Sequence, residues 1–337
     1  MTHYPKVHRL HAALALLILI TTIGSATAGQ PQKMTSPPTD NPPDNLNSLD
    51  QLTSATTRRI EEANSLPELT GSGPYRARLE MDLAFPDATI YRPADLTKIS
   101  NASLGVLIWG NGGCSNDGAS ARAHLAEIAS HGYLVIAPGK ALTGPYAAEG
   151  APAPQLMKIT IDHMRKALNW ALDENDRAGS PYHGKLDKNA VAVAGHSCGG
   201  MLAILLGEDP RISTVIVHNS GIFPVLPDNP PLQMHESRLN GLHTPVLILT
   251  GGKSDLATPL AKKAFDSINR LPVILASRDV GHEGTFDHPH GGEAAQMAVH
   301  WLQWQLRNDQ TAKANFIGDD CFWCTDPQWS IEKKLIP

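Results

Sequence analysis

The chain has 337 residues, 42% of them apolar and 18% charged, which suits one large globular domain or two modest ones able to bury a core. A formal net charge of −5 with no basic face excludes the electrostatic footprint of a nucleic-acid binder. The 15 histidines are scattered rather than set at metal-ligand spacing, so neither a metal nor another cofactor is expected.

Taken in chain order, the first segment reads as an export signal. Lys6, His8 and Arg9 precede an apolar run from Ala12 to Ile23, and Ala26-Thr27-Ala28 offers a small-x-small cleavage site. The run is shorter than the ~20 residues of a membrane span. Residues 1–28 are therefore expected to be removed, with an uncleaved anchor as the alternative, and the mature protein to be secreted or periplasmic with no membrane span. Residues 29–73 are rich in Pro, Ser, Thr and Asn (Pro37-Pro38, Pro42-Pro43). They read as a linker or loosely docked arm, with a short helix at most through Arg58 to Ala63.

Regular patterning starts near residue 74. Arg76 to Leu83 and Ala88 to Tyr91 read as opening strands, Leu104 to Trp109 as a buried strand, and Ala119 to His131 as a helix. Tyr133 to Ala137 is a strand stopped by Pro138-Gly139. Leu156 to Asn175 reads as a long helix with Leu156, Met164, Leu168, Ala171 and Leu172 on one stripe. Strands follow at Ser213 to His218, Pro245 to Thr250 and Pro272 to Ala276, with a helix at Pro259 to Ile268 between the last two. A final helix spans Glu293 to Leu306, in which Trp301 and Trp304 read as core. Strands alternating with helices predict an α/β domain over 74–310: a mostly parallel central sheet with helices on both faces. Residues 311–337 form a tail carrying Cys321-Phe322-Trp323-Cys324.

Four of the expected strand ends carry unusual residues, and in such sheets ligands sit outside the carboxyl ends of the strands. The most informative is Gly195-His196-Ser197-Cys198-Gly199, between the apolar strand of Val191 and Val193 and the helical pattern of Met201, Leu202, Ile204 and Leu205. A Gly-x-Ser-x-Gly at a strand–turn–helix junction is a nucleophile elbow: a sharp turn that lifts the Ser197 hydroxyl clear of the backbone. Its helix start would aim the Cys198 N–H at a developing oxyanion. Gly110-Asn111-Gly112-Gly113, after the buried strand, is rich enough in small residues to bring a second N–H, from Asn111 or Gly112, to the same oxygen. Asp255 follows the strand ending at Thr250, where a carboxylate can accept an imidazole Nδ1–H. His282, between Gly281 and Glu283-Gly284, is the expected general base; His288 and His290 are its rivals. His196 reads as packing beside the site.

Nucleophile, acid and base in the order Ser…Asp…His is the order of the α/β-hydrolases. Over Tyr75 to Arg307 the chain resembles that fold, in the neighbourhood of the dienelactone hydrolases and cutinase-like polyester hydrolases. The resemblance rests on Gly195–Gly199, Gly110–Gly113, Gly252-Lys253-Ser254-Asp255-Leu256-Ala257-Thr258-Pro259 and Gly281-His282. The tail from Asp319 to Pro327 resembles that of secreted bacterial and fungal members. The dienelactone hydrolases use a cysteine nucleophile where Ser197 stands here. The segment from Asn219 to Thr244, stiffened by Pro224, Pro227, Pro230 and Pro231, reads as a loop, so little or no cap domain is expected and the resemblance implies a shallow, open site. It implies a serine esterase acting on a small or polymeric ester through an acyl-enzyme. A peptidase or acyltransferase on the same three residues, and a catalytically silent binding protein on this scaffold, are the rival readings.

An exported protein can keep disulfides. Cys321 and Cys324 are expected to form a local bridge that pins the tail. Cys114 and Cys198 are either bonded to each other or two small buried thiols.

Overall fold

The computed structural model describes residues 69–223 and 234–336. The expected signal segment and nearly all of the arm lie outside the described residues, as do Pro224, Pro227, Pro230 and Pro231. The five arm residues that are described dock firmly. Ser72 donates its N–H and its hydroxyl to the Glu127 carboxylate at 2.7 and 2.6 Å, and Gly73 N–H donates to Ser130 Oγ at 2.9 Å.

Nine strands form one sheet: β1 (Ala77–Asp82), β2 (Phe85–Pro93), β3 (Leu104–Gly110), β4 (Tyr133–Pro138), β5 (Leu186–His196), β6 (Thr214–His218), β7 (Val246–Thr250), β8 (Val273–Ser277) and β9 (Ser330–Lys334). Their spatial order is β1-β2-β4-β3-β5-β6-β7-β8-β9. The six strands from β4 to β8 run parallel, while β1, β2 and β9 are antiparallel to their neighbours. Runs such as Leu104 to Trp109 are apolar at every position because a central parallel strand is covered on both faces.

Alternation then sorts the side chains. Val106, Ile108, Val191 and Val193 point to the face covered by α2 (Ile161–Asp176), α3 (Cys198–Leu206) and α4 (Thr258–Ser267). Leu107, Trp109, Ala192 and Ala194 point to the face covered by α1 (Arg122–Ser130) and α5 (Gly292–Arg307). Each fully buried Val, Ile or Leu contributes about 1.5–3 kcal/mol, so this two-sided burial dominates the stability of the sheet. The architecture is thus α/β with a mostly parallel sheet.

Three elements depart from the sequence expectation. The long helix starts at Ile161, not Leu156: Met157 has φ 57°, and residues 155–159 give their backbone hydrogen bonds to the loop after β3. Leu156, expected on the buried stripe, is 47% exposed, whereas Met164, Leu168 and Ala171 are buried. Helix α1 starts three residues late because the Asp117 carboxylate captures the N–H groups of Ala119 and Leu142, each at 3.0 Å, into a turn. The tail is not a separate appendage. After α6 (Gln310–Ala314) and α7 (Phe322–Thr325), it adds β9 to the sheet edge beside β8. Ser330-Ile331-Glu332-Lys333-Lys334 reads as polar because charged residues are how an edge strand is protected. A Cys321–Cys324 disulfide closes the turn before it. Trp301 is core, donating Nε1–H to Thr214 Oγ1 at 2.8 Å; Trp304 stacks on Phe316 at the tail.

Candidate active site

Because β3, β5, β7 and β8 are parallel, the loops that follow them emerge at one edge of the sheet. Strand β5 ends at His196, and Ser197 takes φ 52°, ψ −119°, a region an L-residue occupies only at a cost of about 1–3 kcal/mol. The next residue opens α3. A turn this tight brings three backbones into contact: a Cβ on Gly110 or on Gly195 would overlap the Gly199 backbone. The glycines flanking Ser197 are thus demanded by the close approach of β3, β5 and α3. Ser197 N–H donates to His218 O at 3.0 Å, and Ser220 Oγ donates to Ser197 O at 2.6 Å.

Ser197 Oγ lies 2.9 Å from His282 Nε2, and His282 Nδ1 lies 2.7 Å from Asp255 Oδ1. A carboxylate only accepts, so Nδ1 carries the proton and Nε2 of the neutral ring is left to accept from the hydroxyl. Three residues separated by 58 and 27 positions in the sequence therefore form one hydrogen-bonded chain. Asp255 is buried. Burial pushes its carboxyl up, but the His282 hydrogen bond and the N–H groups of Ala257 and Gly251 outweigh this and hold it below the usual carboxylate range.

The expected oxyanion donors sit on two adjoining elements. Cys198 N–H is the first of α3, and the first N–H groups of a helix have no intrahelical acceptor. The loop after β3 carries Asn111, Gly112 and Gly113. The Asn111 side chain is spent on the scaffold, its amide donating to Ser115 O at 2.9 Å and Pro138 O at 2.7 Å, which leaves backbone N–H groups as the donors this loop can offer. Gly112 packs on His196 so closely that a Cβ there would stand 2.5 Å from Nδ1. Cys114 and Cys198 form a disulfide with Cα atoms 5.3 Å apart, so the two elements are covalently joined.

Asn219 escapes the reading of the sequence, and His196 reads there only as packing. Asn219, at φ 47° just beyond β6, donates from Nδ2 to Asp255 Oδ2 at 3.0 Å and to Gly281 O at 3.1 Å. It ties the Asp255 loop to the His282 loop. Its only sequence signal is its place at the end of a strand between those that lead to Ser197 and Asp255. His196 does more than pack: its Nε2–H donates to His282 O at 2.8 Å, and its ring lies 5.1 Å from the His282 ring. The rivals of His282 point elsewhere; His290 Nδ1 lies 3.4 Å from Glu127, and His288 precedes a 3-10 turn at Pro289–Gly291.

Beneath the site lies a buried aromatic cluster of His124, His196, His218, Trp109 and Phe286, with ring centroids 4.8–5.7 Å apart. Burial pushes His124 down to about 3 and holds His196 and His218 below the ordinary imidazole value, His218 well below it. The unfolded chain binds these protons below about pH 6.5, while the folded one refuses them. Stability is therefore complete above about pH 6.5 and falls as pH drops toward the depressed native values, by up to about 1.4 kcal/mol per pH unit for each ring. Urea unfolding between pH 7 and 4.5 is expected to show this loss, with a shallower slope in His218→Leu. A flat native profile over that range contradicts it.

No protein-family model matches the chain, and no curated protein matches it.

Proposed function

We propose that the protein is a serine ester hydrolase on an α/β-hydrolase scaffold. The observation that carries the reading is the chain Ser197 Oγ–His282 Nε2, His282 Nδ1–Asp255 Oδ1, at 2.9 and 2.7 Å, on loops at the carboxyl edge of a parallel sheet. In this reading Ser197 Oγ attacks the ester carbonyl carbon while His282 Nε2 takes its proton. The oxyanion is held by the N–H of Cys198 and one from the Asn111–Gly112 stretch. The carbon–oxygen bond to the alcohol then breaks, with the proton passing from His282 to the leaving oxygen. Water repeats the sequence on the acyl-enzyme and releases the acid. Asp255 keeps the imidazole in the productive tautomer and stabilises the imidazolium.

Export fits the same proposal. The two disulfides are of a kind that persists in an oxidising compartment, and no helix among the described residues is long and apolar enough to cross a membrane.

The direct test is treatment of the purified protein with a fluorophosphonate probe, alongside turnover of p-nitrophenyl acetate. Stoichiometric labelling of the peptide that contains Ser197, with matching loss of turnover, is expected. A label on another residue, or none, removes the proposal.

A further inference from the structure

Among the described residues seven large apolar side chains are exposed. Four lie in the β1–β2 hairpin or in the C-terminal tail. The other three, Leu156, Met157 and Leu256, stand on or against the loops that carry the proposed site, and Leu156 and Met157 are adjacent. Single exposed apolar residues are ordinary, but this pair is held out by its own backbone. Met157 N–H donates to Gly113 O, and the N–H groups of Lys158 and Ile159 both donate to Cys114 O, each at 2.9 Å; Asn116 N–H donates to Gln155 O at 3.1 Å. Gln155 N–H returns a bond to Asn116 Oδ1 at 2.7 Å. Met157 takes the left-handed conformation, φ 57°, which costs a residue with a Cβ about 1–2 kcal/mol. The segment thus gives up a turn of helix and accepts strain to lie along the loop expected to hold the oxyanion.

The two side chains lean on that loop and on the nucleophile's neighbour. Leu156 covers Gly113, where a Cβ would stand 2.7 Å from Leu156 Cδ2. The Met157 sulfur is 3.9 Å from the Cys198 sulfur. In the proposed chemistry the alcohol oxygen faces His282 to receive its proton, and the carbonyl oxygen faces the N–H groups of Cys198 and the loop after β3. In this reading the remaining substituent, the acyl chain, runs over Leu156 and Met157, which rest on those two elements.

We infer that Leu156 and Met157 form an acyl-binding lip and that the substrate is an ester whose acyl group is apolar and longer than acetyl. This rests on the serine-hydrolase reading above and adds the substrate class. An apolar chain lying on an open lip buries about half its surface, so each added methylene is worth roughly twofold in kcat/KM.

The test is a series of p-nitrophenyl esters from acetate to octanoate, with native protein and with Leu156→Ser/Met157→Asn. Asn tolerates the left-handed backbone at position 157. Native kcat/KM is expected to rise about fifteenfold from acetate to hexanoate, and the double variant to hold that ratio below about threefold. A series of alkyl acetates of increasing alcohol length should not separate the two proteins. A native ratio near one, a double variant that keeps the native ratio, or a difference confined to the alcohol series overturns the inference. If the double variant fails to melt cooperatively, Met157→Asn alone, with an expected hexanoate-to-acetate ratio below half the native one, decides on the same terms. Native turnover of acetate through Ser197 with no acyl-length dependence sinks the lip alone. Absence of both acetate turnover and fluorophosphonate labelling sinks the underlying reading with it.

Discussion

Ser197→Ala, His282→Ala and the double variant are expected to share one residual rate, about 10⁴- to 10⁶-fold below the native kcat. The reason is the geometry: Oγ and Nε2 are 2.9 Å apart, and in the proposed mechanism the hydroxyl is a nucleophile only while that imidazole takes its proton. Removing either partner removes the same event, so the second substitution has nothing left to lose. Asp255→Asn should cost less, about 10³- to 10⁴-fold. An amide placed against Nδ1 can force the wrong tautomer, but it leaves nucleophile and base in place. In the proposed mechanism the residual activity of all these variants comes from the oxyanion donors, which none of them touches. Initial rates with p-nitrophenyl butyrate, measured after active-site titration of the native protein, decide the matter. A double variant slower than either single variant by the product of the two effects means that Ser197 and His282 act independently, contrary to the proposed mechanism.

The second large effect belongs to the Cys114–Cys198 disulfide. It closes a loop with a sequence separation of 84, for which the chain-entropy model gives about 4–5 kcal/mol. That is a large fraction of the 5–15 kcal/mol typical of a folded domain. Cys321–Cys324, with a separation of 3, constrains the unfolded chain far less. Cys114→Ser/Cys198→Ser should therefore lower the urea midpoint strongly, and Cys321→Ser/Cys324→Ser only slightly. Activity should follow the same order. Cys114 and Cys198 belong to the two elements proposed to supply the oxyanion donors, and a displacement of about 1 Å at such a site can cost roughly 10²-fold. Dithiothreitol at a concentration that frees all four thiols, assayed at a temperature where the chain stays folded, should reproduce the Cys114/Cys198 phenotype. Equal midpoints for the two serine pairs would refute the entropic account. An unchanged kcat in Cys114→Ser/Cys198→Ser would show that the bridge does not align the donors.

Much of this site was legible in the chain because its signals are local. Gly195 and Gly199 are required by contacts within a single strand–turn–helix, and small residues after an apolar strand announce a close backbone approach wherever they occur. The parallel sheet was legible for the same kind of reason: strands covered on both faces must be apolar throughout, and the segments between them carry helical period. Ser197, Asp255 and His282 could be ordered along the chain, since each follows an apolar strand of that sheet. What no local pattern encodes is which side chain meets which. Asn219 gains its role only because β6 lies between β5 and β7, putting its amide within reach of Asp255 and Gly281. The bond from His196 to the His282 carbonyl and the pairing of Cys114 with Cys198 likewise depend on loops that adjoin only in the folded sheet.

Two departures carry the lesson furthest. Leu156 continues a helical stripe when read as sequence and Met157 falls within the same expected helix, yet both lie outside α2, because the carbonyls of Gly113 and Cys114 compete for their segment's N–H groups and win. Ser330 to Lys334 reads as a charged tail and is a strand, because β8 presents an open edge for it to pair with. By itself the sequence determined the elements whose burial or turn chemistry is decided within a few neighbouring residues, and with them the strand ends from which reactive groups can project. The tertiary structure alone decided the hydrogen bonds, the disulfide partners and the exposed lip, since each is a contest between backbone or side-chain partners far apart in the chain.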